Sequence, residues 1–290
     1  MRFSEERLKA LCDSLVAKYP NEDCDFYKMA LSVEVLRELV DNEWTNQAIF
    51  PNQHPVSSKS IQEAITFLRT NENGFQFQER VSKLAIRLLN MQDIKGLQKV
   101  IQEIQSGDIH GGYAELEAGD FLSRRNVPFE FVIPSGEKRK DFDIRITTEP
   151  HINCEVKHKV ESTIISKETL ESVLSSANKQ VPVDEPALFF IKIPEEWASS
   201  SDFNNVIERV SGTFLPRNTN VVGFILHWEE RVRGSQGCFF WKYHFKENKD
   251  LVLDAGDMLR QLRVAVDPLD TFIRVMQRNI EKCRNYPFVH

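Results

Sequence analysis

The stretch Lys140-Asp141-Phe142-Asp143-Ile144, followed after a turn by Asn153-Cys154-Glu155-Val156-Lys157, decides how this chain reads. Successive side chains on a β-strand point to opposite faces. Taken as two neighbouring strands, the first sends Asp141, Asp143 and Arg145 one way and Phe142, Ile144 and Ile146 the other. The second puts Asn153, Glu155 and Lys157 on one face and Ile152, Cys154 and Val156 on the opposite one. Acids gathered on a common face repel unless a cation sits among them. Hard divalent cations such as Mg²⁺ take oxygen ligands of this kind. The pair of segments is therefore a candidate metal site.

Working outward from it, the pattern predicts alternating helices and strands. A helix over about 113–125 leads into a short apolar strand, Phe129 to Ile133, and Pro134-Ser135-Gly136 turns the chain toward Asp141. After the Glu155 strand comes a helix over about 167–179, then an apolar strand from Leu188 to Ile193. A further helix is predicted from Asp202 as N-cap to about Val210. Strands Val221 to Trp228 and Cys238 to Phe245 follow, joined through Gly234–Gly237. Asp267-Pro268-Leu269-Asp270 marks a last helix start, with Leu269, Phe272, Ile273 and Met276 facing inward. Strands interleaved with helices predict a mixed sheet covered by helices on both faces.

The first hundred residues carry helical periodicity instead. Leu8, Leu11, Cys12, Leu15 and Val16 recur at helical spacing, as do Leu31, Val35, Leu36 and Leu39, and again Val81, Leu84, Ala85, Leu88 and Leu89. Ser60-Ile61-Gln62-Glu63 has the form of a capping box. Residues 42–58, with Pro51 and Pro55, read as a loop, and 71–74 as a turn. The division expected is a helical N-terminal domain over 1–106 and an α/β domain over 107–290.

A glutamate on a helix, an aspartate on a second strand and Glu-x-Lys on a third, in the order αβββαβ, resemble the PD-(D/E)xK nuclease superfamily over residues 110–195. The resemblance implies a restriction endonuclease-like core and a metal-dependent nuclease of the restriction, repair or defence kind. Glu155 and Lys157 match the Glu-x-Lys pair. Asp141 matches the aspartate through Asp141-Phe142, with Lys140 where proline is common, and Asp143 is the alternate on the same face. The helix glutamate is Glu115, with Glu117 as alternate, each along one edge of a stripe made by Ala114, Ala118, Phe121 and Leu122. The resemblance implies that Asp141 and Glu155 bind Mg²⁺, with Mn²⁺ as substitute. It implies that Lys157 helps position or activate the attacking water, that Glu115 supports the metal, and that DNA is cut to a 5′-phosphate and a 3′-hydroxyl. Gln180 is either a substrate contact or a helix-end cap, and Lys138 and Arg139 are candidate substrate contacts. The competing expectation is a non-catalytic protein- or nucleic-acid-binding module on the same scaffold. A third is an unrelated α/β protein whose strand charges face water.

Composition sets bounds on these readings. With 290 residues, 41% hydrophobic and 28% charged, the chain is that of a folded globular protein. The opening residues lack the apolar core of a signal peptide, and no apolar run is long enough to span a bilayer, so a cytoplasmic protein is expected. The net charge of −6 argues against a non-specific nucleic-acid coat. Over residues 121–160, however, eight Lys/Arg outnumber six Asp/Glu, clustering at Arg124-Arg125, Lys138-Arg139-Lys140 and Lys157-His158-Lys159. Five scattered cysteines form no C-x-x-C pair and indicate neither a zinc ribbon nor a disulfide framework. The histidines form no H-E-x-x-H, Pro134–Lys138 is not a phosphate loop, and no G-x-S-x-G elbow is present. The N-terminal helices carry no DNA-reading signature. Substrate recognition, homodimerisation and a protein partner are the roles left for them.

Overall fold

The computed structural model describes residues 3–69, 74–137, 139–159, 164–231, 239–249, 256–263 and 271–284. The chain divides into two compact units, Met1–Asp120 with Asp267–Phe288, and Phe121–Val266 with Val289–His290. The division falls after Asp120 rather than at 106, and the C-terminal helix belongs to the first unit.

The first unit is helical: α1 Glu5–Lys18, α2 Cys24–Leu39, α3 Asn42–Ile49, α4 Lys59–Arg69, α5 Gly74–Asn90, α6 Leu97–Ser106, α7 Ile109–Ser123, whose last three residues from Phe121 onward belong to the second unit, and α12 Thr271–Asn279. Side-chain caps begin α1, α2, α3 and α7, where Ser4, Asp23, Asp41 and Asp108 accept from the backbone N–H groups of Arg7, Phe26, Trp44 and Gly111. Residues 42–49 are thus a helix, not the loop expected. Asp41 caps it, Trp44, Ala48 and Ile49 bury one face, and Pro51 follows just beyond its end. The start of α4 also corrects the sequence reading. Ser58, two residues before Ser60, bonds the N–H of Ile61, and Glu63 pairs with Lys59 instead of reaching back to a cap.

α7 starts four residues earlier than periodicity suggests, running through Gly111-Gly112. A Cβ on Gly112 would lie 2.7 Å from Ile104 Cγ1, so the glycine permits close approach to α6. Cys24 at the start of α2 is disulfide-bonded to Cys283, with Cα atoms 5.4 Å apart. Cysteine spacing gave no sign of this bond, because its partners are separated by 259 residues.

The second unit is built on a six-stranded sheet in the order β1 Phe129–Phe131, β2 Ile144–Ile146, β3 Ile152–His158, β4 Ala187–Lys192, β5 Val221–Arg231 and β6 Phe239–Glu247. β1, β2 and β3 form an antiparallel meander, β3, β4 and β5 are parallel, and β6 is antiparallel to β5. The mixed sheet agrees with the expected class. Parallel neighbours need crossovers. α8 Lys167–Asn178 supplies the first. α9 Glu195–Ala198 and α10 Phe203–Phe214 supply the second, and α11 Gly256–Arg263 follows β6. Asp202 occupies the N-cap of α10 but makes no capping hydrogen bond. The expected start of the last helix, Asp267–Asp270 with Leu269, lies outside the described residues, while Phe272, Ile273 and Met276 are buried as anticipated.

Both faces of the sheet are packed. On one, Ala187, Phe189 and Ile191 of β4 and Phe224 and Leu226 of β5 bury against Leu170, Leu174 and Ala177 of α8 and Val206, Ile207 and Val210 of α10. On the other, Phe190 of β4 and Tyr243 of β6 meet Phe121 edge-on, with centroids 5.6 and 5.2 Å away. Residues 234–237 and Cys238 lie outside the described residues.

Candidate functional site

The pairing Ile144↔Cys154 between β2 and β3 sets Asp143, the residue ahead of Ile144, against the Cys154–Val156 segment of β3. Three hydrogen bonds hold Asp143 there. Its N–H donates to Cys154 O at 3.1 Å, its carbonyl accepts from Val132 N at 2.8 Å, and its carboxylate Oδ2 accepts from Val156 N at 2.7 Å. The carboxylate thus occupies a ladder position at the mouth of the strand. Glu155 is 2% exposed, and its Oε1 accepts from Lys157 Nζ at 2.5 Å. Glu155 and Lys157 lie in register with Phe189 and Ile191, so they share the face of the sheet that α8 covers. Cys154, between the acids in sequence but on the opposite face, senses both. Burial first, then the charge of Asp143 and more weakly that of Glu155, push its thiol upward.

Asp141 has another task. It precedes β2 instead of lying in it, and its Oδ1 accepts from the N–H and the hydroxyl of Ser135 at 2.6 and 2.8 Å. These bonds hold the carboxyl below its usual range, the hydroxyl contributing most and the N–H next. They close the loop that carries Gly136, at φ 76°, and Arg139, at φ 66°. Strict alternation fails at the same place. The Arg145 guanidinium sits 5.1 Å from the Phe142 ring, although the strand reading sent them to opposite faces. Phe142 precedes the regular strand and packs with Ile165 and Leu170.

The other sequence candidates are distributed as follows. Glu115 and Glu117 do not border an apolar stripe, because α7 is buried on all sides from Gly112 to Gly119. Glu115 receives Lys99 Nζ at 2.8 Å on both oxygens, and Glu117 pairs with Arg87 at 3.4 Å, all within the first unit. Gln180 follows the end of α8, where its N–H donates to Ala177 O. Since α8 connects parallel strands, its twelve residues, about 18 Å of helix, carry Gln180 to the sheet end opposite Lys157. Arg139 is exposed, Lys140 pairs with Glu137 at 2.6 Å, and Lys138 lies outside the described residues. Arg125 is buried, stacked 3.5 Å over Phe121 and bonded to Leu262 O, so it does not belong to a basic surface.

Glu185 and Glu130, the partners of Asn153 and Arg145, escaped the sequence reading. Asn153 donates to Glu185 at 2.7 Å, and Arg145 faces Glu130 at 3.7 Å across the β1–β2 pair. Glu185 lies outside the strands, and its partner 32 positions away has no local signature. Ile133, just beyond β1, and Ile164, ahead of α8, are 69% and 85% exposed.

Among the described residues, no group of three or more His, Cys, Asp and Glu side chains is gathered closely enough to hold a metal ion. Asp143 and Glu155 are two carboxylates, each oriented by a hydrogen bond to the Val156–Lys157 end of β3. Mg²⁺ is commonly held by one or two carboxylates, with water and substrate phosphate completing its shell. Also among the described residues, no helix is long and apolar enough to cross a membrane. Comparison with family models, with curated proteins and with solved structures finds no match to this chain.

Proposed function

We propose that the protein is a metal-dependent nuclease hydrolysing phosphodiester bonds in DNA, with Asp143, Glu155 and Lys157 at its centre. The observation that carries this reading is that the Asp143 carboxylate is held on the N–H of Val156, the residue between Glu155 and Lys157, while Lys157 pairs with the Glu155 carboxylate. The order α7-β1-β2-β3-α8-β4, an antiparallel meander followed by a parallel crossover, supports it as the order of the PD-(D/E)xK core.

In this reading Asp143 and Glu155 hold the divalent ion, Mg²⁺ or Mn²⁺. When bound, such an ion lowers the pKa of its water from 15.7 to about 7 in favourable cases and offsets charge on the phosphate. The protein's own groups orient and stabilise. The Val156 N–H fixes the rotamer of Asp143, the strand fixes Glu155, and Lys157 brings a positive charge to the developing phosphorane. Asp141 stabilises the 135–141 loop, which carries Arg139 and Lys140 at the surface. Glu115 and Glu117 act as structural ion-pair partners.

The test is cleavage of single- and double-stranded DNA and of RNA by the full chain with Mg²⁺ or Mn²⁺, wild type against Lys157→Ala. Metal-dependent cleavage lost in the variant supports the reading. Cleavage by both proteins alike, or by neither, removes it in favour of a binding module.

A further inference from the structure

We propose that Lys157 is a competing cation: its ammonium holds the place on Glu155 that a divalent ion takes over, so metal entry and lysine release are one exchange. The proposal rests on the metal-site reading above and concerns how that site is controlled. Glu155 and Lys157 are two positions apart on β3 and share a face, so the lysine stem folds back along its own strand to bring Nζ within 2.5 Å of Oε1. The two ends of this pair differ in exposure. The glutamate side chain is 3% exposed and the lysine 28%, so the ammonium can leave toward water while the carboxylate cannot.

Charge counting gives the direction of the exchange. Taken among these three groups, the carboxylates of Asp143 and Glu155 with one ammonium leave one negative charge. A divalent ion in place of the ammonium neutralises both carboxylates. It also releases Lys157 to meet an anionic oxygen of a bound phosphate. A metal ion and an ammonium on Glu155 together would instead leave excess positive charge beside a buried group, which is costly at low dielectric. Lys157 is thereby a positioning group whose availability depends on metal occupancy.

The experiment is Mn²⁺ binding by the full-length protein, followed by calorimetry and by the paramagnetic resonance of free Mn²⁺, for wild type, Lys157→Met and Glu155→Gln. Competition predicts that Lys157→Met binds Mn²⁺ more tightly by roughly tenfold, about 1.4 kcal/mol, and that Glu155→Gln loses binding. A second measurement keeps wild-type chains only. Acylation of Lys157 by a water-soluble acetylating ester, read on its peptide by mass spectrometry, accelerates severalfold when Mn²⁺ is added. Equal or weaker Mn²⁺ binding by a folded Lys157→Met overturns the exchange and leaves the metal-site reading standing, because wild type still binds. Absence of binding in wild type and Lys157→Met alike removes both. If Lys157→Met does not fold, the acylation rate decides, and a rate indifferent to Mn²⁺ overturns the proposal.

Discussion

Asp143 donates its backbone N–H to β3 and also accepts the N–H of Val156 through its carboxylate, at 2.7 Å. Asp141, two residues earlier, is bonded to Ser135. The two aspartates should therefore separate cleanly on substitution. Asp143→Asn is expected to lower metal-dependent cleavage by on the order of a hundredfold or more, as loss of a ligand does. Asp141→Asn should keep cleavage within severalfold and loosen the 135–141 loop, seen as faster amide exchange there. The reverse ranking would make Asp141 the ligand.

The Lys99–Glu115 pair separates a structural role from a catalytic one. Both side chains are nearly buried, at 10% and 7% exposure. Breaking a buried pair on one side costs about 3–5 kcal/mol, less where Lys99 keeps Glu103 at 3.2 Å, whereas replacing both partners is often close to neutral. Glu115→Gln should thus lower the melting temperature, and Glu115→Leu with Lys99→Met should recover it. If Glu115 supported the metal instead, the stable double variant would remain inactive on DNA.

The Cys24–Cys283 bond ties α2 to the segment following α12. Closing so long a loop restricts the unfolded chain, and loss of such a bond typically costs about 2–5 kcal/mol. Cys24→Ser, or reductant added to wild type, should move the urea midpoint of the first unit downward by a matching amount. Cys12, its thiol pushed up to about 12 by burial, and Cys154 should resist alkylation until the chain unfolds. Rapid labelling of either in native protein would contradict the packing.

His244 gives a pH dependence. Burial, and then Lys246, hold its imidazole below the ordinary value of 6.5, while Glu208 opposes them. The unfolded chain therefore takes up the proton at higher pH than the folded one. The contribution is fully present above about pH 6.5 and is lost as pH falls through the lower folded value. His244→Gln should flatten the change in urea midpoint between pH 7.5 and 5.5, and an unchanged slope would count against it.

Asn248 is 4% exposed and donates to the carbonyls of Leu215 and Val221 at 3.1 and 3.0 Å, joining the end of α10 to the start of β5. Asn248→Ala would leave these groups without the amide, at about 1–3 kcal/mol. Denaturant unfolding of the variant measures this directly.

The α/β class, the apolar strands β4 and β5 and the Glu155–Lys157 face were legible because each rests on local periodicity. Leu188 to Ile193 can only be an interior strand between Pro186 and Pro194, and Glu-x-Lys on a strand puts both charges on one side. α3 was not legible, since two prolines outweighed its Asp41 cap. Asp141 and Asp143 were not separable either. Alternation treats them alike, and only the β2–β3 pairing, together with the start of β2 at Ile144, sets one on the Val156 N–H and the other on Ser135.

What the sequence by itself determined is the order of helices and strands and the residue types available to a cation, because dihedral preference and side-chain alternation act over a few residues. Partnership was decided by the tertiary structure alone. Lys99 with Glu115, Arg87 with Glu117, Cys24 with Cys283 and Asp143 with Val156 are all brought together by packing and register. A buried charge takes whichever counter-charge the folded chain delivers to it, and no spacing along the chain encodes that.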